Sequence, residues 1–505
     1  MNIVNKNGWL EIDIRFIAVA ASLLISLFTG IFHTTPNDDA YTYIRTAEIF
    51  TDDGIAAAFA HYQWATYSIL IGTLHKLLGI DLFSASYLLN ALFYGLLVYS
   101  FISIVKEIND SQRVLILTAI TVLVYPQLNE FRQEIIRDIG FWSLALFSLW
   151  QFMVFGRSHN YPNAIAFCIA LLLAATFRAE AVYYLLVIPL SLLFDTRIAK
   201  DQRIRYGFLF SAGSIAMITL VILIFRLGGL NLIRLFLDFV SVYTPFITST
   251  LFPAEGEAIE MGRAVFNDYA AFYSSEYITL FLVVGLIAIL FANVITGIGG
   301  PFLIILLIGY FRKLLTIPKH NFLPLLTVLL ANSLILLLFI LITRFLSSRY
   351  TMLFCIVLSL FVPLVLDRLL QWSEETNRKK VVLNVMGIFL LYCAFDAYIS
   401  FGYNKSYLYD AADWVAQNSE SNAVITNNHA VAYFSGRVEN YDLTMRLLTE
   451  EEILLARAGS LIAVEVTYDM TQLFNNEAIN SKVQPIIAFP DETNPRLIVY
   501  RKLTD

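Results

Sequence analysis

Long runs of apolar residues recur along most of this chain, and short polar loops separate them. A bilayer core of about 30 Å needs about 20 consecutive apolar residues per helix, so runs of this length predict about eleven membrane spans. The predicted spans are residues 12–32, 84–105, 113–128, 136–155, 162–177, 181–194, 206–226, 277–310, 321–343, 350–367 and 381–402.

One of these runs, residues 277–310, is long for a single span. The sequence Gly297-Ile298-Gly299-Gly300-Pro301 interrupts it. Two spans here would place Arg312 and Lys313 outside the cell, against the positive-inside rule. We therefore expect one broken or strongly tilted helix.

The stretches between the spans differ in character. Residues 39–80 predict short amphipathic helices at the outer membrane surface, over Tyr41–Phe50 and Tyr62–Leu78. Two further outer loops are expected, at about 128–137 and 227–276, and the second of these has the length of a lid over a site. Residues 1–403 would form the transmembrane module.

The last hundred or so residues, 404–505, alternate between a helical pattern and short strand-like runs. Apolar positions at a spacing of two, bounded by Gly, Asn and Pro, are typical of short strands. This segment predicts a small α/β domain outside the membrane.

Composition supports a membrane protein. The 505 residues are 58% hydrophobic and 15% charged, and their mean hydropathy is +0.68. Soluble domains are about 25% charged, so the fold class we expect is an α-helical polytopic membrane protein with a small C-terminal α/β domain. The net charge of −6 without a basic stripe argues against a nucleic-acid partner.

The Lys and Arg residues of three short loops predict the orientation. All three loops fall on one side, the cytoplasmic side, if the N-terminus is cytoplasmic. Their basic residues are Arg197, Lys200, Arg203 and Arg205; Arg312, Lys313 and Lys319; and Arg368, Arg378, Lys379 and Lys380. We expect a multi-pass protein of the inner (plasma) membrane whose first span is an uncleaved anchor and whose C-terminal domain is extracytoplasmic.

Two adjacent carboxylates, Asp38 and Asp39, follow the first span directly. Like charges side by side repel, so the pair indicates chemistry: a general base whose neighbour orients an acceptor or holds a divalent cation. Tyr43, Arg45 and Glu48 follow closely as candidate substrate contacts. The alternative is a polar loop in which Asp39 caps the next helix, but capping accounts for only one of the two carboxylates.

The second outer loop carries three carboxylates at intervals of four residues, Glu130, Glu134 and Asp138. On one helix they would share a face and form an acidic wall of the site. Arg132 or Arg137 would then contact a phosphate. A solvated interfacial helix with internal ion pairs is an equally good interpretation.

Charged residues also occur where a membrane disfavours them. Arg178 and Glu180 interrupt an apolar stretch, which indicates either function or a mutually paired buried couple. Arg344 and Arg349, the latter followed by Tyr350, lie at an outer membrane edge. An anionic lipid phosphate would explain cations there, and snorkelling towards the headgroups is the alternative.

The order of these features resembles a known group of enzymes. An uncleaved first helix, Asp38-Asp39, surface helices and the run from Ser84 to Tyr99 look like the polyprenyl-phosphate-sugar-dependent glycosyltransferases of the GT-C superfamily. The branch is family 39-like, which includes protein O-mannosyltransferases, the aminoarabinose transferase of lipid A and rhizobial lipopolysaccharide transferases. The resemblance covers roughly residues 10–370, and its most specific parts are the Asp-Asp loop and Arg349-Tyr350.

The resemblance implies a reaction. A sugar on a polyprenyl phosphate would be the donor, Asp39 or Asp38 would deprotonate the acceptor hydroxyl, and arginines would stabilise the departing phosphate while the anomeric configuration inverts. The sugar and the acceptor, whether glycan, lipid or protein, are not implied. No cofactor is certain, and the use of a divalent cation stays open.

Two other functions fit an apolar chain of this kind. A transporter or flippase of lipid-linked glycans would show internal repeats and midplane charges in broken helices, whereas this sequence has no convincing repeat and its charges cluster at one face. A glycan polymerase or ligase that uses diphosphate-linked donors is the third hypothesis, but an Asp-Asp pair after the first span is not characteristic of such enzymes.

Overall fold

The computed structural model describes residues 13–32, 35–227, 231–251, 255–274, 277–315, 317–399, 405–419 and 424–504. Apolar runs become helices throughout, because a helix satisfies its backbone hydrogen bonds within one segment. The expected domain boundary at residue 404 and the end of the span predicted at 381–402 lie outside the described residues.

The helices in chain order are α1 (Ile14–Phe32), α2 (Asp38–Asp53), α3 (Ile55–His61), α4 (Thr66–Leu78), α5 (Leu82–Ile108), α6 (Gln112–Leu123), α7 (Pro126–Glu130), α8 (Asp138–Ser158), α9 (Tyr161–Ala175), α10 (Ala181–Val187), α11 (Lys200–Leu227), α12 (Leu232–Leu251), α13 (Glu255–Ser274), α14 (Ile278–Ile298), α15 (Gly300–Phe311), α16 (Lys319–Thr343), α17 (Ser348–Ser359), α18 (Val362–Glu375), α19 (Lys379–Tyr398), α20 (Tyr407–Asn418), α21 (His429–Phe434), α22 (Glu450–Leu455), α23 (Tyr468–Asn475) and α24 (Glu477–Asn480). The strands are β1 (Val424–Thr426), β2 (Leu461–Glu465), β3 (Val483–Phe489) and β4 (Leu497–Lys502).

Membrane-length helices dominate the described residues. By length and composition seven helical segments are long and apolar enough to cross a bilayer, or eight if α6 and the bent segment after it form one span. Of the four shorter apolar helical segments, three fall in the predicted spans that remain, and the fourth, Gly300–Phe311, lies in the second half of the run at 277–310. Each of the eleven predicted segments contains a helix, and the protein is an α-helical polytopic membrane protein.

The long run at 277–310 is broken, as expected, between α14 and α15. Gly299 lies at the break with φ of +78°, a conformation that residues with a Cβ rarely adopt. A Cβ at Gly299 would also collide with the Gln127 side chain. The first half, α14, is long enough to span by itself, so one span over the whole run is not required.

The segment 227–276 differs from the expected loop, since most of its described residues form α12 and α13. The 20 residues of α12 carry only two charges, Arg234 and Asp238. These are four residues apart, the spacing that pairs side chains on a helix, and their closest atoms are 3.9 Å apart. A kink at Asn267, with φ of +62°, bends α13.

The chain forms two compact units. The first unit comprises residues 1–27, 90–132 and 137–399, and it holds most of the membrane-length helices. The second unit comprises residues 28–89, 133–136 and 400–505. It therefore combines the surface helices α2–α4 with the C-terminal segment, although the sequence predicts these two parts in separate domains.

A four-stranded sheet organises the C-terminal part of the second unit, in the order β1-β2-β4-β3. β1 and β2 are parallel, whereas β4 is antiparallel to both of its neighbours. Alternate residues of β2 face opposite sides, as in any strand. Leu461 joins one core, and Ile462 joins the other.

The surface helix α2 and the sheet share the first of these cores. Tyr41 of α2 packs in it with Leu408, Val431 and Val499. Burial raises the pKa of the Tyr41 hydroxyl above its ordinary value. The helix that begins with Asp38 and Asp39 is thus held by the C-terminal segment.

Candidate functional site

The carboxylate pair lies in the first turn of α2. Asn37 precedes the helix as its N-cap residue, in an extended conformation. The Asn37 side chain makes two hydrogen bonds with the Ile135 backbone: its Nδ2 donates to the Ile135 carbonyl (3.2 Å), and its Oδ1 accepts from the Ile135 N–H (2.7 Å). Asp39 is therefore not the helix cap, and the capping alternative for that residue is wrong.

Arg446, from the C-terminal segment, binds the first carboxylate of the pair. Its Nε and Nη2 donate to Oδ2 of Asp38 at 3.0 and 2.6 Å. These hydrogen bonds raise the pKa of the Arg446 guanidinium. The Arg446 side chain is 82% exposed, and that of Asp38 is 43% exposed. Exposed ion pairs contribute at most about 1 kcal/mol to stability, so the contact matters mainly for orienting Asp38.

The face of α2 that carries Asp38 contacts the C-terminal segment at further positions along the helix. Tyr41, Arg45 and Glu48 follow Asp38 at helical spacing. The Tyr41 ring stacks on His429, with centroids 5.8 Å apart. The Arg45 guanidinium carbon lies 5.8 Å from the Tyr441 ring centroid.

Glu48 completes this face. It accepts a hydrogen bond from the Tyr441 hydroxyl at 2.7 Å and another from Arg45 Nη1 at 3.2 Å. Burial and the bond to Glu48 raise the pKa of Tyr441. Arg45 and Glu48, expected as substrate contacts, thus hold the C-terminal segment against α2.

Two polar anchors hold the segment that carries Arg446. His61 Nε2 lies 2.9 Å from Oδ2 of the buried Asp442. The buried Asn427 donates to the Arg446 backbone carbonyl at 3.1 Å and accepts from the Glu465 N–H at 2.7 Å. The position of Arg446 therefore follows from the end of the sheet as well as from Asp38.

Tyr43 has a packing role in the same unit. It is buried, and its ring makes edge-on contacts with Tyr62 and Tyr67, at centroid distances of 5.9 and 5.0 Å. These contacts join α2 to α4. We therefore no longer assign Tyr43 to the substrate.

A second polar cluster lies in the first unit. Arg178 forms an ion pair with Asp138, the first residue of α8, and Arg178 Nη1 donates to Glu180 Oε1 at 3.1 Å. The guanidinium carbons of Arg178 and Arg349 lie 4.4 and 5.6 Å from the Tyr350 ring centroid. The structure thus brings together five of the predicted site residues, and the mutually paired alternative for Arg178 and Glu180 fits this geometry.

Arg132, predicted to contact phosphate, is buried among protein groups. It donates to Asn129 Oδ1 at 2.7 Å and to Ser22 Oγ at 2.9 Å. Its guanidinium carbon lies 3.9 Å from the Tyr94 ring centroid. These contacts tie α1, α5 and α7 together, and we do not retain Arg132 as a phosphate ligand.

The single acidic helix face predicted for 130–138 is also wrong. α7 ends at Glu130, a short 3-10 turn covers Phe131–Gln133, and α8 begins only at Asp138. The Ile135 N–H is already bonded to Asn37, so it cannot continue a helical ladder. Arg137 lies at the N-cap of α8, and Arg344 ends α16 in a left-handed conformation.

Within the described parts of the chain, no three His, Cys, Asp or Glu side chains are grouped so that they could hold a metal ion. The three cysteines, Cys168, Cys355 and Cys393, are buried and unpaired with one another.

The class of protein that these elements define is a polytopic helical membrane protein with a carboxylate pair on a surface helix. No protein-family model matches the chain, and no curated protein matches it in sequence. Solved structures do resemble it, among them the Archaeoglobus fulgidus oligosaccharyltransferase in complex with Zn and sulfate, at 13% identity and a TM-score of 0.47. That alignment covers 80% of this chain and 56% of the other, so the chain spans about half of the oligosaccharyltransferase.

ArnT from Cupriavidus metallidurans is also similar. Its structure bound to undecaprenyl phosphate matches at 12% identity, and its apo structure at 13%. Both cover 96% of this chain and 97% of ArnT, with a TM-score of 0.41. At these identities the likeness is one of fold.

Proposed function

We propose that the protein is an inverting glycosyltransferase that moves a sugar from a polyprenyl-phosphate donor to an extracytoplasmic acceptor. The observation that carries this proposal is the carboxylate pair at the start of α2. A surface helix that opens with two carboxylates, one of them held by an arginine, supplies a general base and an ordered neighbour. The resemblance of the sequence to GT-C enzymes supports the choice of donor.

In the proposed reaction, Asp39 takes the proton of the acceptor hydroxyl. The acceptor oxygen bonds to the anomeric carbon as the bond from that carbon to the phosphate oxygen breaks, and the polyprenyl phosphate leaves with the electron pair. Attack from the face opposite the phosphate inverts the configuration. Asp38 is assigned the orienting role, because Arg446 already occupies its Oδ2.

Cations are needed for the charge that develops on the leaving phosphate. Arg349 and Arg344 are our candidates, because the sequence places both at an outer membrane edge, where an anionic lipid phosphate would explain cations. Arg137 is kept as a further candidate at the start of α8. A glycan, a lipid and a protein are all open as acceptors.

We further propose that the N-terminus is cytoplasmic and that α2 and the C-terminal domain are extracytoplasmic, in the inner (plasma) membrane. The basic loops support this orientation. So does the make-up of the second unit, since a compact unit that contains both α2 and the C-terminal segment needs both on one side.

The test uses the full chain purified in lipid nanodiscs with radiolabelled donors. We expect sugar transfer from a monophosphate-linked donor, and a loss of transfer by at least about 100-fold, the scale typical of a general base, in Asp39→Asn. Asp53→Asn, an exposed carboxylate at the other end of α2, is the matched control and should retain activity. Consumption of only diphosphate-linked oligosaccharides, or transport without a glycosidic product, would contradict the proposal.

A further inference from the structure

The loop that carries Arg446 presents large apolar side chains to solvent. Leu443, Met445 and Leu447 are 66%, 68% and 51% exposed. Three such side chains within five residues form an apolar patch rather than scattered surface residues, and patches of this kind mark binding surfaces. We refer to residues 443–447 as the apolar loop.

The exposure of the apolar loop is built into the fold. Tyr441 and Asp442 before it and Leu448 after it are buried. Asp442 is bound by His61, and the loop's own backbone is bound by Asn427 at the Arg446 carbonyl. The loop is therefore fastened at both ends and in the middle, while its apolar side chains stay outside the core.

The charge pattern of the loop is that of a membrane-surface element. Arg446 is the one basic residue among the three apolar side chains, and a long cationic side chain keeps its head at the headgroup level while apolar neighbours enter the acyl region. Asp38 already neutralises part of this charge, so the apolar side chains supply most of the affinity for the membrane.

The second unit also contains parts of two apolar helices. It includes residues 28–32, the end of the apolar helix α1, and residues 82–89, the start of the membrane-length helix α5. Elements of a membrane helix therefore belong to the same compact unit as the apolar loop. Arg446 of the apolar loop also binds Asp38, which follows Phe32, the last residue of the apolar helix α1, by only six residues. This short chain distance favours the bilayer surface as the occupant of the patch.

We propose that the apolar loop, residues 443–447, inserts Leu443, Met445 and Leu447 into the outer leaflet of the bilayer. The loop is then a lipid contact of the unit that carries Asp38 and Asp39. This inference does not depend on the proposed transferase activity, because it concerns the depth of a loop in a membrane.

The test places a single fluorophore on the loop. Met445→Cys in the full chain is labelled with an environment-sensitive dye in nanodiscs, with and without lipids that carry a nitroxide quencher on the acyl chain. The native cysteines are buried, so labelling is directed to the new one. Leu503→Cys is the matched control: it is 48% exposed and lies next to Lys502, which is at the end of the sheet remote from Asn427 and Glu465.

We expect quenching at position 445 to be several-fold stronger than at position 503, with emission shifted to the blue. Equal, solvent-like emission at both positions would overturn the proposal. A second variant, with Leu443, Met445 and Leu447 all changed to Ser, should abolish quenching of a dye at position 444. If the loop is unquenched by lipid but its serine variant loses transfer to a soluble acceptor, the patch binds acceptor and the proposal is also overturned.

Discussion

Arg446 donates two hydrogen bonds to a single carboxylate oxygen of Asp38, across a sequence separation of 408 residues. This contact gives the first member of the carboxylate pair a defined protein partner. It also makes the C-terminal segment part of the candidate site, since the same segment contacts α2 at Tyr41, Arg45 and Glu48.

The first prediction concerns this contact. We expect Arg446→Gln to lower kcat/KM for sugar transfer by about 10-fold, or about 1.4 kcal/mol of transition-state stabilisation. Arg446→Lys should recover part of the activity, because it restores the charge but not the two-pronged geometry. Steady-state kinetics in nanodiscs would measure both variants.

A double-mutant cycle tells whether Arg446 acts through Asp38. If it does, Arg446→Gln should have no further effect in an Asp38→Asn background. Additive losses would show that Arg446 works independently of Asp38. Arg457→Gln, which removes an exposed arginine from the same domain, is the control for charge loss alone and should leave kcat/KM unchanged.

The second prediction concerns the anchor between His61 and Asp442. Asp442→Ala leaves His61 without its buried partner, and losing a hydrogen bond of this kind costs about 1–3 kcal/mol. We expect faster hydrogen exchange in α21 and in the turn at Tyr441–Leu443, with little change in the membrane helices. Unchanged exchange there would mean that the anchor does not hold the segment. Asp413→Ala, an exposed carboxylate of α20, is the control.

Much of this architecture could be predicted from the sequence because it is local. Length and apolarity define the membrane helices, and a carboxylate pair directly after an apolar run locates the start of α2. The pairing of Arg178 with Glu180 was one of two interpretations of charges in apolar surroundings, which are costly unless compensated, whereas the ion pair of Arg178 with Asp138 was not predicted.

The rest depends on pairings that no local pattern reveals. Nothing in the sequence marks the polar residues that hold α2 and the C-terminal segment together, which are His61, His429, Asp442 and Arg446. Only the fold pairs His61 with Asp442 and places His429 and Arg446 against α2. Arg45 and Glu48 were assigned to substrate because they follow the carboxylate pair closely, and both contact the C-terminal segment. The contacts of Arg132 could not be predicted, because its partners Ser22 and Asn129 carry no charge.

The third prediction is a pH dependence of local stability at His429. Burial lowers the pKa of this imidazole below its ordinary value of 6.5, while the charge of Asp38 opposes the shift. The unfolded state then binds a proton more readily than the folded state. The contribution of neutral His429 is therefore complete above about pH 6.5 and is lost as the pH falls through the lower folded-state pKa.

We expect hydrogen exchange in α21 to accelerate between pH 7 and pH 5, after correction for intrinsic exchange rates. His429→Phe keeps an aromatic ring against Tyr41 but cannot titrate, so its corrected exchange should be flatter over the same range. An equally steep dependence in this variant would assign the effect to other groups, among them Asp38, Asp442 and Arg446, whose charges also act on His429.

The last prediction separates structure from function at Arg178. Arg178→Met should destabilise the first unit by about 3–5 kcal/mol, because it leaves the buried carboxylate of Asp138 without its cation. Adding Asp138→Asn removes that charge and should restore most of the thermal stability. Part of the destabilisation should remain, because Glu180 also loses its ion pair with Arg178. If Arg178 only neutralises its neighbours, the double variant should regain transfer together with stability. If stability returns while transfer stays at least about 10-fold below wild type, a difference of about 1.4 kcal/mol, Arg178 contributes to the reaction beyond its ion pairs.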